Sequence, residues 1–271
     1  MTRNNLLEVK HYQKENFVYL NLNEFNLIKD NYTLNIPSNV CVNLLIEGGY
    51  AGILSFHVCE NTHLDIAYAT FENIQDVNLQ FFLAKNAHVQ FSMADFSHGR
   101  GTVSVLFNLD QIKAHAQWKL SSLAREKDHK TFIISFAHNA PQTYSNMENY
   151  GVVTDQSYLR FSGTSHIYEN TKQSEAHQTA KIMVFDEQCI AQAEPILNID
   201  HNDVIASHAA SVGKVNDLHL FYLCSRGLSL RDAKNLITVG YLKPIINSFL
   251  DENLQNRIIK IIEEQEAIIH D

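Results

Sequence analysis

Between Val42 and Val212, apolar side chains fall on alternate positions in run after run. Successive side chains of a β-strand point to opposite faces, so runs of this kind form strands with one buried face, and no helix of period 3.6 can bury them. One run carries Leu64, Ile66 and Tyr68, and the next Val77, Leu79, Phe81 and Leu83; then come Val89, Phe91 and Met93, and Val103, Val105, Phe107 and Leu109. The runs recur roughly every ten residues, a spacing typical of sandwiches, barrels and stacked solenoids. Turn-forming stretches separate them: Glu60-Asn61-Thr62, Lys85-Asn86-Ala87 and His98-Gly99-Arg100-Gly101. All three architectures bury one face of many short strands, so periodicity alone does not choose among them.

After Gly213 the period becomes helical. Asn216 to Cys224 reads as a first helix, closed by Arg226 and by Gly227 as a left-handed cap. Phe221 and Leu223 within it read as core. Ser229, with Asp232 three residues on, opens a second helix running through Val239 and ending at Gly240. A third piece begins near Tyr241 and restarts at Pro244. The last helix, from about Glu252, carries Leu254, Ile258, Ile261, Ile262 and Ile269 on one face and Glu263, Glu264 and Glu266 on the other. Ahead of the regular strands, Asn16 to Ile28 mixes Phe17, Tyr19, Leu20, Leu22, Phe25 and Leu27 without a clean period, and reads as strand.

An apolar fraction of 45% in 271 residues supports a sizeable core, in one large domain or two smaller ones. The formal net charge of −9 argues against nucleic acid as a partner, because neutralising phosphates takes clustered Lys and Arg. Cys41, Cys59, Cys189 and Cys224 show no C-x-x-C or C-x-x-H spacing, so they read as free buried thiols in a reducing cytosol rather than a zinc site or disulfide framework. No stretch reaches the roughly 18 apolar residues that cross a bilayer, and the expectation is a cytoplasmic chain with no membrane partner. The motifs G-x-x-x-x-G-K-[ST], G-x-G-x-x-G and G-x-S-x-G are absent.

Residues 194–244 hold the densest motif. Pro195, Leu197, Ile199, Asp203, Val204, His208, Ala210, Ser211 and Gly213 are followed by Leu220, Phe221, Tyr222, Leu223, Ser225, Arg226, Gly227 and Leu228. This order resembles the SufB/SufD family of iron–sulfur cluster assembly scaffolds, whose signature reads roughly P-x-L-x-I-x-x-x-D-V-x-x-x-H-x-A-[ST]-x-G followed by L-F-Y-L-x-[SQ]-R-G-[IL]. Upstream, His138-Asn139-Ala140, Tyr150-Gly151-Val152-Val153-Thr154-Asp155 and Phe161-Ser162-Gly163 resemble shorter family elements in the same order. The resemblance is convincing from about Ile133 to Pro244, and from Val42 to Lys130 only the strand texture is shared.

The resemblance implies a mainly β fold: a right-handed parallel β-helix over 33–213, followed by a small helical domain over 214–271 and preceded by a short segment over 1–32. The N-terminal helical domain common in the family looks missing here or reduced to a stub. SufB-type proteins carry a Cys four residues after the motif Pro and a Glu after the motif His; here Ile199 and Ala209 stand there, and neither is a nucleophile or ligand. The chain is therefore closer to the SufD branch, with Ala206 where many SufD sequences have a further Cys. The implied function is that of a non-enzymatic scaffold that pairs with a SufB-like protein and docks the SufC ATPase, with a homodimer as the form in isolation. His208, flanked by Ser207 and Ser211, is the candidate iron or cluster contact at the partner interface, transient rather than a stably bound cofactor. Leu228, Leu230, Ala233, Leu236, Ile237 and Tyr241 are the candidate ATPase-docking positions, part of which cap the solenoid instead. Two other classes stay open: a solenoid carbohydrate-active enzyme using acids such as Asp95, Glu194 and Asp203, and a homodimeric adaptor. His57, His63, His115, His138, His166, His177 and His201 are scattered at spacings that suggest no metal site.

Overall fold

Each alternating run becomes one strand, and the chain winds so that consecutive strands lie in opposite sheets. The computed structural model describes residues 31–264 apart from 49–51, 75 and 251, with the backbone of 5–6, 13–14 and 17–21 before them; of the expected early strand, 16 and 22–28 lie outside the described residues, as do Glu266 and Ile269. The strands are β1 (Asn5–Leu6), β2 (Gln13–Lys14), β3 (Phe17–Asn21), β4 (Tyr32–Ile36), β5 (Cys41–Glu47), β6 (Ile53–Val58), β7 (His63–Thr70), β8 (Val77–Leu83), β9 (His88–Asp95) and β10 (Arg100–Leu109). Then follow β11 (His115–Ala124), β12 (His129–His138), β13 (Tyr144–Val153), β14 (Tyr158–Ile167), β15 (Ser174–Val184), β16 (Ile190–Ile199) and β17 (Val204–Lys214), and the helices α1 (Asp217–Ser225), α2 (Leu230–Ile246) and α3 (Glu252–Glu264).

From β4 onward the even strands form one sheet and the odd strands the other, and every neighbouring pair among them is parallel. This is a parallel β-solenoid, which decides among the three architectures the periodicity allowed. The turn lengthens along the chain. Tyr32 faces Leu54, 22 residues on; Val77 faces Val103, 26 on; Arg100 faces His129, 29 on; and Tyr158 faces Ile190, 32 on.

The inward positions form ladders along the axis. Phe56, Phe81, Phe107 and Phe136 stack face to face with ring centroids 4.6, 4.7 and 4.8 Å apart. The 4.7–4.9 Å strand spacing sets that distance, so one aromatic per turn gives a continuous buried stack. Across the interior, Ile66, Phe91, Trp118, Met147 and Gln178 occupy successive register positions, and Trp118 donates its indole N–H to Asn149 Oδ1 at 2.8 Å. Buried charge occurs at Lys130, whose Nζ donates to Asp95 Oδ2 at 2.8 Å and to the carbonyls of Ser97 at 2.6 Å and Leu123 at 2.8 Å. With every ammonium proton taken, that pair is tolerated in a dry interior.

Corners are held by repeated backbone geometry. Asn39, Asn61, Asn86, Lys113, Gln142 and Gln173 all take left-handed φ, between 53° and 62°. Each donates its N–H to a carbonyl of the following turn, as Asn61 does to Lys85 at 3.0 Å and Gln142 to Lys172 at 3.0 Å. Asn tolerates this conformation better than most side chains, and Asn86 Nδ2 also donates to Asn61 Oδ1 at 2.9 Å. At the other corner carboxylates serve: Asp155 accepts from the Glu126 N–H at 2.7 Å and Asp186 from the Asp155 N–H at 2.9 Å.

Helices α2 and α3 lie against the outer face of the odd-strand sheet, where Leu242, Ile245, Ile246, Phe249, Leu254, Ile258 and Ile262 cover Ala67, Ala69, Ala94, Leu123 and Val152. Lys234 pairs with Asp186 at 3.6 Å near the start of α2, and Arg257 reaches Glu47 at 2.9 Å, so the helices run back along the solenoid. Helix α2 does not end at Gly240 as the sequence suggested. It continues through Pro244 to Ile246, because burial of Leu242, Ile245 and Ile246 outweighs the one hydrogen bond that Pro244 cannot donate. Phe221 and Leu223 are also not core: Phe221 is 72% exposed and Leu223 half-buried, since α1 buries no residue fully.

Candidate functional site

Among the described residues, nothing caps the solenoid at its C-terminal end. β16 and β17 are the last strands of their sheets, each paired on one side only. Side chains that would be core in an inner turn are open here: Ile199 is 42% exposed and Val212 45%, although they continue the columns of the buried Ile167 and Ile182. An unpaired strand edge above an open apolar core leaves backbone donors and acceptors in line for another strand.

His208 stands in this surface. It lies in register with buried Gln178 on the inward-facing side of β17, between Ala206 and Ala210, and it is exposed because no further turn covers it. Ser207 and Ser211 fall on the opposite side of the strand, where Ser207 Oγ meets His177 Nδ1 at 2.8 Å. The Ser-His pair, adjacent in sequence, is thus split between two faces. Ala206, Ala209 and Ala210 offer no side-chain ligand atom beside His208. Beneath it Gln178 donates Nε2 to Ser165 Oγ at 2.8 Å and to the Ile196 carbonyl at 3.1 Å, while its Oε1 has no partner. Gln178 escaped the sequence analysis. Its signal was parity, since it shares the alternate positions of Ala176, Ala180 and Ile182.

The second surface is helical. On α1, Leu218 is 73%, Phe221 72% and Tyr222 55% exposed, and on α2 Leu230 is 57% and Leu236 54% exposed. Asn216 caps α1 by accepting from the Leu218 N–H, and Ser229 caps α2 by accepting from the Asp232 N–H. Of the six docking candidates, Leu230 and Leu236 are exposed, Leu228 and Ile237 half-buried, and Ala233 fully buried. Tyr241 is half-buried, its ring centroid 5.9 Å from that of Tyr150, and burial pushes its phenol up to about 12.

Two of the acids named for a glycosidase site, Asp95 and Glu194, are not brought together. Asp95 is bound to Lys130 in the core, Glu194 pairs with Arg160 at 2.6 Å, and β9 and β16 lie several turns apart. Three turns or more amount to about 14 Å along the axis, beyond the roughly 5–9.5 Å that glycoside hydrolysis uses. Among the described residues no three His, Cys, Asp or Glu side chains gather as a metal site, and no helix is long and apolar enough to cross a membrane.

A family model described as SUF system FeS cluster assembly, SufBD core domain, matches residues 41–241. The chain belongs to this family. Among curated proteins it is similar to the iron-sulfur cluster assembly protein SufD of Bacillus subtilis, 26% identical over 181 residues, 67% of this chain and 41% of that protein. It is similar also to SufD of Escherichia coli, 25% identical over 128 residues, 47% of this chain and 30% of that protein. A SufBD family protein of Staphylococcus saprophyticus is 26% identical over 125 residues, 45% of this chain and 27% of that protein. The chain thus spans less than half the length of these relatives. The SufBD match covers the solenoid from β5, α1 and most of α2, so both surfaces described above lie largely within it.

Proposed function

We propose that this SufBD-family chain is a non-enzymatic, cytoplasmic scaffold subunit that pairs through the solenoid end with a SufB-like partner. The observation that carries this reading is the uncapped end at β16 and β17, where one partner would satisfy both the strand edges and the apolar side chains. His208 sits in that surface as a single ligand, so iron or a nascent cluster passing through the interface takes its remaining ligands from the partner. Ile199 and Ala209, at the positions of the Cys and Glu of SufB-type proteins, leave sulfur acceptance to the partner as well.

The exposed apolar set on α1 and early α2, Leu218, Phe221, Tyr222, Leu230 and Leu236, is the docking surface for a SufC-type ATPase in this reading. Co-purification under anaerobic, reducing conditions tests both contacts. The expected outcome is a complex containing this chain, a SufB-like protein and SufC. Failure to retain either protein sinks the proposal. A chain that forms a stable dimer with itself and exchanges with neither protein points instead to the homodimeric adaptor.

A further inference from the structure

The winding gathers histidines that the sequence keeps 25 and 27 residues apart. His63, His88 and His115 are consecutive register partners on β7, β9 and β11, all on the outer face of the odd-strand sheet. Their rings form a rank, with centroids 5.8 Å apart between His63 and His88 and 4.4 Å apart between His88 and His115, the second pair tilted by 36°. Potential further ligands stand at both ends. Cys41 is the register partner of His63 on β5, and the Asp65 carboxylate lies 3.4 Å from His63 Nε2. At the far end Tyr144 follows His115 and Glu175 follows Tyr144 in the same column.

A further observation sets this rank apart from ordinary surface histidines. Helices α2 and α3 cover the strand-end half of the same face at Ala67, Ala69, Ala94 and Leu123 but leave the His63 side chain 51% exposed. Neutral imidazole is the form that binds metal.

We propose that adjacent imidazoles of this rank, with His88 as the shared member, bind a divalent late first-row transition metal such as Ni²⁺, Cu²⁺ or Zn²⁺. Imidazole nitrogen suits these ions, whereas Mg²⁺ and Ca²⁺ prefer oxygen. The rigid strands hold neighbouring rings one strand spacing apart, so small side-chain rotations bring two nitrogens to one ion. The protein supplies two ligands and water completes the shell, in keeping with the lack of any three-residue cluster among the described residues. This site is independent of His208 and of the solenoid end.

The test is a Ni²⁺ titration of the tag-free chain at neutral pH by calorimetry, with the histidine ring signals followed by NMR. Expected are one tight Ni²⁺ per chain, selective paramagnetic broadening of the His63, His88 and His115 rings, and affinity reduced at least about tenfold in H88A. His57, on the opposite sheet and stacked on Phe82 at 4.8 Å, is the control, and H57A keeps full affinity. Unchanged binding in H88A, or broadening that falls on other histidines, overturns the proposal; should H88A misfold, the broadening pattern in the unmodified chain decides.

Discussion

His138 shows how much chemistry the solenoid can bury in one side chain. Its Nδ1 lies 2.7 Å from Thr143 Oγ1 and its Nε2 2.8 Å from Ser145 Oγ, inside the core. Burial pushes its pKa down from 6.5 to about 4. The unfolded ring therefore takes its proton first as pH falls. The stability this site contributes is complete above about pH 6.5, declines by about 1.4 kcal/mol per pH unit toward pH 4, and levels off below. Urea midpoints measured across that range should show the slope, and H138Q should flatten it. The sequence held the clue to burial, since Lys130, Phe132, Ile134, Phe136 and His138 share one parity. What it lacked was the partners: Asp95 reaches Lys130 from a neighbouring turn, and Thr143 and Ser145 meet His138 across the corner between β12 and β13. His208 has the inward parity too, yet it is exposed, because parity reports the side of the strand and says nothing about where the stack stops.

Among elements, α1 contrasts with its neighbours. Helices α2 and α3 gain stability by burying a face on the sheet, whereas α1 buries no residue fully and leaves Leu218, Phe221 and Tyr222 outside. The sequence marked its ends correctly, because Asn216 and Gly227 act through local backbone geometry. It misassigned Phe221, because an apolar residue at helical spacing reads the same whether it faces a core or a partner. Phe221→Asp should therefore leave the circular dichroism spectrum and the unfolding midpoint nearly unchanged. In the proposed reading it also abolishes retention of the SufC-type ATPase; wild-type retention by the variant would move the docking surface elsewhere. Gly240 and Pro244 failed as stop signals for the opposite reason, since the burial they oppose is long-range and invisible to local rules.

At the scale of the whole molecule, the solenoid is a one-dimensional stack in which each turn contacts mainly the turns before and after it. Phe107, between Phe81 and Phe136, should couple its neighbours. Phe107→Ala is expected to cost about 3–5 kcal/mol and to lower amide hydrogen-exchange protection in β8, β10 and β12 more than in β16. Equal loss of protection along the whole chain would instead indicate a single cooperative unit. The same stacking turns distant residues into neighbours, as with His63, His88 and His115, and leaves a last turn whose edges and core lie open.

The sequence by itself determined that this chain forms strands with one buried face, that it changes to helices after Gly213, and, through the motif from Pro195 to Leu228, which family it resembles. These are local or pattern properties, legible residue by residue. It could not show the repeat, because the turn grows from 22 to 32 residues and erases any fixed period. Only the tertiary structure decided which strands stack, which side chains meet across turns and where the solenoid ends, because all three follow from register between segments far apart in the chain. The alternating pattern bounds each strand's faces, while winding alone sets its neighbours.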